Sequence, residues 1–117
     1  MTSPVQDSPW TAVCALEQIL PDTGVCALVD GRQVAVFRVG AGDDCLFAID
    51  NVDPKSGAAV LSRGLVGSLG ERIVVASPIY KQHFDLRTGE CLEIPGQPVA
   101  SYPVRVTAGQ VWIGSPA

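Results

Sequence analysis

Short runs of apolar residues alternate with turn signals along most of the chain. The runs 25–29 (VCALV) and 33–39 (QVAVFRV) flank Asp30-Gly31, a pair that tolerates the positive φ of a type I′ turn. These two runs therefore predict a β-hairpin with a two-residue loop. The segment 40–44 (GAGDD) then predicts a turn into a third strand over 45–50 (CLFAID), which would complete a three-stranded meander.

The rest of the chain continues this pattern of short strands and turns. The predicted strands are 73–76, the pair 84–86 and 91–94 around Thr88-Gly89, and the pair 98–106 and 110–114 around Ala108-Gly109. The only helical candidate is a single turn over 16–19. Turn signals about every eight to twelve residues are typical of an antiparallel β-sandwich or small barrel. We therefore expect an all-β fold whose first and last hairpins form a base, with residues 51–90 inserted as a loop-rich cap.

Length and hydropathy favour one soluble unit. The chain has 117 residues, of which 47% are apolar, enough to bury a core without disulfides or metals. Residues 1–9 are expected to form a flexible tail and residues 10–117 a single domain. No run of 18 apolar residues and no secretory signal is found, so we expect a cytoplasmic protein that does not bind membranes.

The charge distribution sets the cap apart from the rest of the chain. A formal net charge of -4 argues against nucleic-acid binding, which depends on basic patches. Residues 51–90 contain five basic and four acidic side chains, a net of +1, so the remaining residues carry three basic and eight acidic side chains, a net of -5.

The cysteines do not form a recognisable metal motif. Cys14, Cys26, Cys45 and Cys91 are far apart, and none belongs to a CxxC or CxH pair. Cys14 and Cys26 lie among apolar neighbours and are predicted to be buried free thiols. Cys91 is the candidate for an exposed thiol.

Three possible chemical functions of cap residues are less favoured than structural roles for the same residues. Its glycines at 64, 67 and 70 lead into a strand rather than a helix, which favours turns over a phosphate loop. Ser77, His83 and Asp85 are the residue types of a hydrolase triad, but no GxSxG elbow surrounds the serine. His83 could serve acid–base chemistry with Asp53, Lys55 or Tyr80, yet the sequence identifies no partner for it, and a structural histidine is favoured.

Two stretches that overlap the cap, FAIDNVDPKSGAAVLSRG at 47–64 and VVASPIYKQHFDLRTGEC at 74–91, resemble the cluster loops of Rieske iron–sulfur domains. The shared frame consists of Asn51, Ser77-Pro78, 84–86 and Thr88-Gly89. Rieske clusters are held by two cysteines and two histidines. The resemblance places Asp53 and Lys55 at the first Cys and His positions, and Ser77 and Tyr80 at the second. It thus implies that all four cluster ligands are absent and that the chain binds no metal.

The motifs DNVDP, LSRG and SPIYKQ, together with YPVRV at 102–106, resemble the small subunits of assimilatory NAD(P)H-dependent nitrite reductases. This resemblance implies a non-catalytic subunit that docks on a large subunit carrying FAD, an iron–sulfur centre and sirohaem. That enzyme reduces nitrite to ammonium with electrons from NADH or NADPH during nitrate assimilation.

The two former cluster loops are the expected docking surface. The predicted partner-binding residues supply charge for steering and an aromatic anchor: Lys55, Arg63, Tyr80, Lys81 and His83. No catalytic residue is predicted in this chain. Two alternatives stay open, a Rieske-type electron carrier with an unusual cluster and a free-standing Rieske-like interaction module.

Overall fold

The computed structural model describes residues 10–40 and 45–116, and this part of the chain is almost entirely β-structure. It contains ten strands: β1 Thr11–Ala15, β2 Thr23–Val29, β3 Arg32–Arg38, β4 Leu46–Asp50, β5 Leu65–Leu69, β6 Arg72–Ala76, β7 His83–Asp85, β8 Ser101–Tyr102, β9 Val104–Thr107 and β10 Gln110–Ile113. Two single 3-10 turns cover Leu16–Gln18 and Leu61–Arg63. The predicted all-β class is confirmed, and the one predicted helical turn is the first of these 3-10 turns.

The strands form three antiparallel sheets. Their orders are β1-β10-β9, β2-β3-β4-β8 and β5-β6-β7. The first two sheets contain the closing and opening hairpins, as predicted for the base. The third lies within residues 51–90, so the cap has a small sheet of its own as well as loops. No helix in the described part of the chain is long and apolar enough to cross a membrane.

Two of the predicted hairpin turns are confirmed by their backbone geometry. Asp30 and Gly31 have φ values of 51° and 79°, and Val29 pairs with Arg32 across them. Both central residues of a type I′ turn require positive φ, which explains why this pair closes the hairpin. Ala108 and Gly109 have φ values of 53° and 75° and join β9 to β10 in the same way.

The central strand β3 is buried on both faces. Val34 and Val36 belong to one apolar cluster, which also contains Val111 and Ile113 of β10. Ala35 and Phe37, on the opposite face, belong to a second cluster with side chains of the cap, among them Val75, Phe84 and Leu86. The β2-β3-β4-β8 sheet is therefore packed between the other two sheets. This position explains the unbroken apolar run VAVF, because a strand covered on both faces does not alternate with polar residues.

Several predicted elements differ from the structure. Neither β1 nor β5 was expected, and Gly67 lies inside β5 rather than in a turn. The predicted strand 91–94 is absent apart from a single bridge between Cys91 and Phe84. The reason lies in Glu93, whose side-chain carboxylate accepts the His83 N–H at 2.7 Å in place of a backbone carbonyl. The predicted strand 98–106 is divided at Pro103, and its two parts join different sheets.

The predicted environments of the cysteines are wrong. Cys26 is exposed and Cys14 is only partly buried, whereas Cys91 is completely buried. In β2, Val25 and Ala27 pack against the apolar cluster that contains Val34 and Val36. Cys26 lies between them in the strand, so its side chain points to the opposite face. Burial raises the pKa of the Cys14 thiol. The predicted tail 1–9 and most of the predicted turn 40–44 lie outside the described residues.

Candidate functional site

Two loops of the cap meet around one buried carboxylate. The first, residues 52–57, follows β4, and the second, residues 77–82, joins β6 to β7; we call these residues the tip. Asp53 is completely buried, and its Oδ2 accepts a hydrogen bond of 2.7 Å from the Ser77 hydroxyl. Its Oδ1 accepts a bond of 2.9 Å from Gln82 Nε2. One carboxylate in the first loop therefore cross-links both ends of the second.

The backbone of the first loop folds back on Asp53. The amide of Asp53 donates to the carbonyl of Ala58 at 2.8 Å, and Gly57 N–H donates to the carbonyl of Asp53 at 2.7 Å. Lys55 N–H donates to Asp53 Oδ1 at 2.8 Å. Such a side-chain-to-backbone bond two residues on is a common way for aspartate to stabilise a turn. The Lys55 side chain is left on the outside of the loop, where it is exposed.

The second loop is a tight turn whose residue before last, Lys81, has a left-handed backbone conformation. Ser77 N–H donates to the carbonyl of Gln82 at 2.9 Å, and Lys81 N–H donates to the carbonyl of Ser77 at 3.0 Å. Lys81 has φ of 64°, in the left-handed region that favours glycine. A side chain at this φ costs about 1 kcal/mol or more, so the loop carries local backbone strain at an exposed lysine.

Asp53 is held as an anion by its surroundings. Burial raises the pKa of its carboxyl, but this effect is outweighed by hydrogen bonds from Ser77, from the backbone of Lys55 and Ser56, and from Gln82. The net result is a pKa below the ordinary aspartate value. Donors aimed at a carboxylate stabilise its charged form, and charge-assisted hydrogen bonds are stronger than neutral ones. The tip is thus held together by a charged, buried acceptor.

The outer surface of the tip combines apolar and cationic side chains. Tyr80 is 51% exposed and Ile79 is 44% exposed, and Val52 of the first loop is also exposed. Lys55 Nζ lies 4.5 Å from the centroid of the Tyr80 ring, within cation–π range. Lys81 is exposed next to Tyr80. The tip therefore presents an aromatic ring and two lysines on loops whose backbones are hydrogen-bonded in place.

The structure brings some of the predicted site residues together but not all. Asp53 contacts Ser77, and Lys55 contacts Tyr80, each pair spanning the two loops. Arg63 is exposed at the end of the second 3-10 turn. Among the described residues, no hydrogen bond, ion pair or ring contact connects Arg63 to the tip. Arg63 therefore lies in a different local environment from the two lysines.

His83 has a partner that the sequence did not reveal. Its Nδ1 lies 2.7 Å from Glu93 Oε2, and its backbone N–H donates to the other oxygen of the same carboxylate. Burial raises the pKa of Glu93, but the hydrogen bonds from His83 outweigh burial and lower it overall. Asp85 accepts instead from Arg72 and from the backbone of Arg87 and Thr88. Since Ser77 is bonded to Asp53, these residues do not form a hydrolase triad.

Sequence reasoning missed two further members of the tip. Gln82 is almost completely buried and donates to Asp53, although 29 residues separate the two along the chain. Its Oε1 is buried and has no hydrogen-bond partner among the residues that the structure describes. Ile79 adds apolar surface beside Tyr80. No local pattern marks Gln82, whereas an apolar residue directly after Ser77-Pro78 was a signal that could have identified Ile79 as part of the exposed surface.

The chain matches a family model described as a Rieske-like [2Fe-2S] domain over residues 9–114. A cluster of this kind needs thiolate and imidazole ligands. The four tip residues singled out by the Rieske resemblance offer neither, and Asp53 already accepts bonds from Ser77, Gln82 and Lys55. The part of the chain that the structure describes contains no group of three or more His, Cys, Asp or Glu that could hold a metal ion. This donor set does not fit a Rieske cluster.

The most informative similarities are to nitrite reductase subunits. The NADH nitrite reductase small subunit of Salmonella typhimurium is 47% identical, over 89% of this chain and 95% of that protein. A crystal structure described as an NADH-dependent nitrite reductase small subunit from Mycobacterium tuberculosis has a TM-score of 0.85 and 48% identity, and covers 92% of this chain and 96% of that one.

A match of a different kind is to a much longer polypeptide. The nitrite reductase [NAD(P)H] large subunit of Klebsiella oxytoca is 44% identical over 92% of this chain, which spans only 11% of the length of that protein. A domain similar to this one thus occurs both alone and within a large-subunit polypeptide. The matching family model and the identity to full-length small subunits show that this chain belongs to the Rieske-like domain family, and within it to the group of NAD(P)H-dependent nitrite reductase small subunits.

Proposed function

We propose that this chain is the non-catalytic small subunit of a cytoplasmic NAD(P)H-dependent nitrite reductase and that it docks on the large subunit through the tip. The names of its relatives support the assignment to this enzyme. The occurrence of a similar domain inside a large-subunit polypeptide supports direct contact between the two, because fusion keeps a domain beside its partner at high effective concentration.

The observation that carries the docking proposal is the surface of the tip. Tyr80, Ile79 and Val52 expose apolar area, and Lys55 and Lys81 place positive charge beside it. Tyrosine is enriched among the residues that dominate binding energy, and interfaces commonly place polar side chains in a rim around such an apolar centre. The strained φ of Lys81 adds to this argument, since strain at an exposed position is commonly retained for function rather than for folding.

Arg63 and His83 are proposed as outlying members of the same docking surface. Both belong to the cap, Arg63 at the end of its 3-10 turn and His83 at the start of β7, directly after the tip. Their contribution is expected to be smaller than that of Tyr80 and Lys81. His83 is already paired with Glu93, and an exposed charge at the edge of an interface mainly affects the association rate.

We further propose that the chain carries no redox centre and that the flavin, iron–sulfur and sirohaem chemistry belongs to the large subunit. In place of a cluster, the Asp53 carboxylate connects the two loops through Ser77 and Gln82. The small subunit would then act by binding and positioning. The chemistry of nitrite reduction to ammonium with electrons from NAD(P)H would take place in its partner.

A second candidate function is that of an electron carrier, favoured by the [2Fe-2S] description of the matching family model. Iron analysis and a visible spectrum of the purified protein distinguish the two functions. We expect a colourless protein with no stoichiometric iron. A brown protein with two irons per chain would establish the electron carrier instead, since each [2Fe-2S] cluster contains two irons.

The docking proposal is tested by co-purification with a tagged large subunit, followed by assay of nitrite-dependent NADH oxidation. The wild-type chain should be retained by the large subunit, whereas Tyr80→Ala/Lys81→Glu should be lost in modest salt. Leu20→Ala, which truncates an exposed leucine outside the cap, is the matched control and should be retained. Full retention and full activity of the double variant would place the docking surface elsewhere.

A further inference from the structure

Asp53 is buried at the base of the segment that carries the exposed aromatic anchor of the tip. Residues 78–81 are all exposed, and they lie between Ser77 and Gln82, which are buried. The Ser77 hydroxyl donates to one oxygen of Asp53 at 2.7 Å, and Gln82 Nε2 donates to the other at 2.9 Å. Both ends of the exposed segment are therefore bonded to a single side chain of the other loop.

Ser77 in turn holds the backbone between these two ends. Ile79 N–H donates to the Ser77 hydroxyl oxygen at 3.3 Å, and Lys81 N–H donates to the Ser77 carbonyl at 3.0 Å. Neither Ile79 nor Tyr80 is among the side chains that form or cover the two apolar clusters of the described residues. Polar contacts at Ser77, rather than apolar packing, thus hold the segment around Tyr80 in this shape.

The same carboxylate also positions the lysine that contacts Tyr80. Lys55 N–H donates to Asp53 Oδ1 at 2.8 Å, and Lys55 Nζ lies 4.5 Å from the centroid of the Tyr80 ring. A cation at this distance from an aromatic face is attracted to it. Asp53 is therefore bonded to the backbone of the cation in one loop and to both ends of the segment that carries the ring in the other.

A buried charge is well suited to this role, because hydrogen bonds to a carboxylate are roughly twice as strong as neutral ones. Replacement of Asp53 by asparagine keeps the size of the side chain but removes the charge, and it turns one acceptor into a donor that faces Ser77 or Gln82. The segment 78–81 would then sample other conformations. Affinity for a partner falls in proportion to the fraction of molecules in the conformation that binds.

We propose that Asp53 is a positioning residue for docking on the large subunit. It is completely buried and cannot meet the partner itself. It acts by holding Lys55 and the segment around Tyr80 in the conformation that binds, so that the cost of ordering the tip is met on folding rather than on association. This role rests on the proposed function, because it presupposes that the large subunit contacts the tip.

Isothermal titration of the purified large subunit with variants of this chain measures the effect on binding. Asp53→Asn should bind about tenfold more weakly than the wild type, as expected if about one molecule in ten holds the binding conformation. The control is Ile113→Val, which removes a buried methyl group from the apolar cluster that contains Val34 and should bind like the wild type. Circular dichroism checks that each variant is folded. If Asp53→Asn is unfolded, Ser77→Ala replaces it in the same comparison.

A Tyr80→Ala background separates positioning from a general loss of stability. If Asp53 acts through Tyr80, Asp53→Asn should weaken binding less than about threefold in this background, while it lowers the urea midpoint equally in both backgrounds. Unchanged binding of Asp53→Asn, or an equal loss of affinity in both backgrounds, would overturn the role of Asp53, and the loss caused by Tyr80→Ala alone would still support docking through the tip. Unchanged binding of Tyr80→Ala would overturn the docking surface and the role of Asp53 with it.

Discussion

The carboxylate of Asp53 accepts a hydrogen bond of 2.7 Å from the hydroxyl of Ser77, and both side chains are completely buried. These residues lie 24 positions apart, one in each loop of the tip. Buried carboxylates are costly unless donors surround them, and here Gln82 and the Lys55 amide supply the additional bonds. The shape of the tip therefore depends on a small polar centre around Asp53.

Removal of the Ser77 hydroxyl should destabilise the protein measurably. Ser77→Ala leaves a buried, charged Asp53 with one donor fewer, which we expect to lower the free energy of unfolding by about 1–3 kcal/mol. Urea denaturation followed by tryptophan fluorescence measures the change. Ser68→Ala, at an exposed serine of β5, is the matched control and should cost less than about 0.5 kcal/mol. Equal effects of the two substitutions would contradict the role assigned to Asp53 and Ser77.

The stability that Asp53 contributes should disappear in acid. Its folded-state pKa is lower than that of the unfolded chain, so the unfolded state takes up a proton first as the pH falls. The contribution is thus present in full above the unfolded value of about 3.9 and is lost as the pH falls through the depressed folded value. The difference in urea midpoint between wild type and Asp53→Asn should be constant from pH 7 to about 5 and shrink below pH 4. A difference that grows in acid would contradict this sign.

Lys81→Gly should separate folding from docking. Glycine relieves the left-handed backbone strain at φ of 64°, so the variant should be more stable than Lys81→Ala by about 1 kcal/mol in urea denaturation. Both variants lose the same charge and should bind the large subunit more weakly than the wild type by a similar factor. If Lys81→Gly binds as tightly as the wild type, Lys81 has no part in docking.

Tyr102 should stay protonated well into the alkaline range. Burial and the hydrogen bond to Asp50 raise the pKa of Tyr102 to about 12. The neutral phenol is favoured by the fold, so its stabilising contribution is complete below the unfolded value of about 10 and is lost as the pH rises through 12. In a Tyr80→Phe background, absorbance at the phenolate band reports Tyr102 alone. A midpoint near 10 in the folded protein would contradict the buried contact.

The sequence predicted those parts of the fold that depend on local chemistry. Asp30-Gly31 can take positive φ at both positions, which identified the first hairpin without any tertiary information. Strand β5 was not predicted, because its stability comes from pairing with β6. The glycine at 67 also interrupts the alternation of apolar and polar residues that would have marked a strand. The connection of Asp53 to Gln82 spans 29 residues and has no sequence signal. The tip was recognised through its resemblance to Rieske loops rather than through any pattern of its own.

The central claim, that the tip binds the large subunit, is tested most directly by isothermal titration of the purified large subunit with this chain. The wild type should bind with a measurable dissociation constant, and Tyr80→Ala/Lys81→Glu should weaken binding at least a hundredfold, as expected for loss of a hot spot worth about 3 kcal/mol or more. Circular dichroism should confirm that the double variant is folded. Unchanged affinity of the folded double variant would contradict the account.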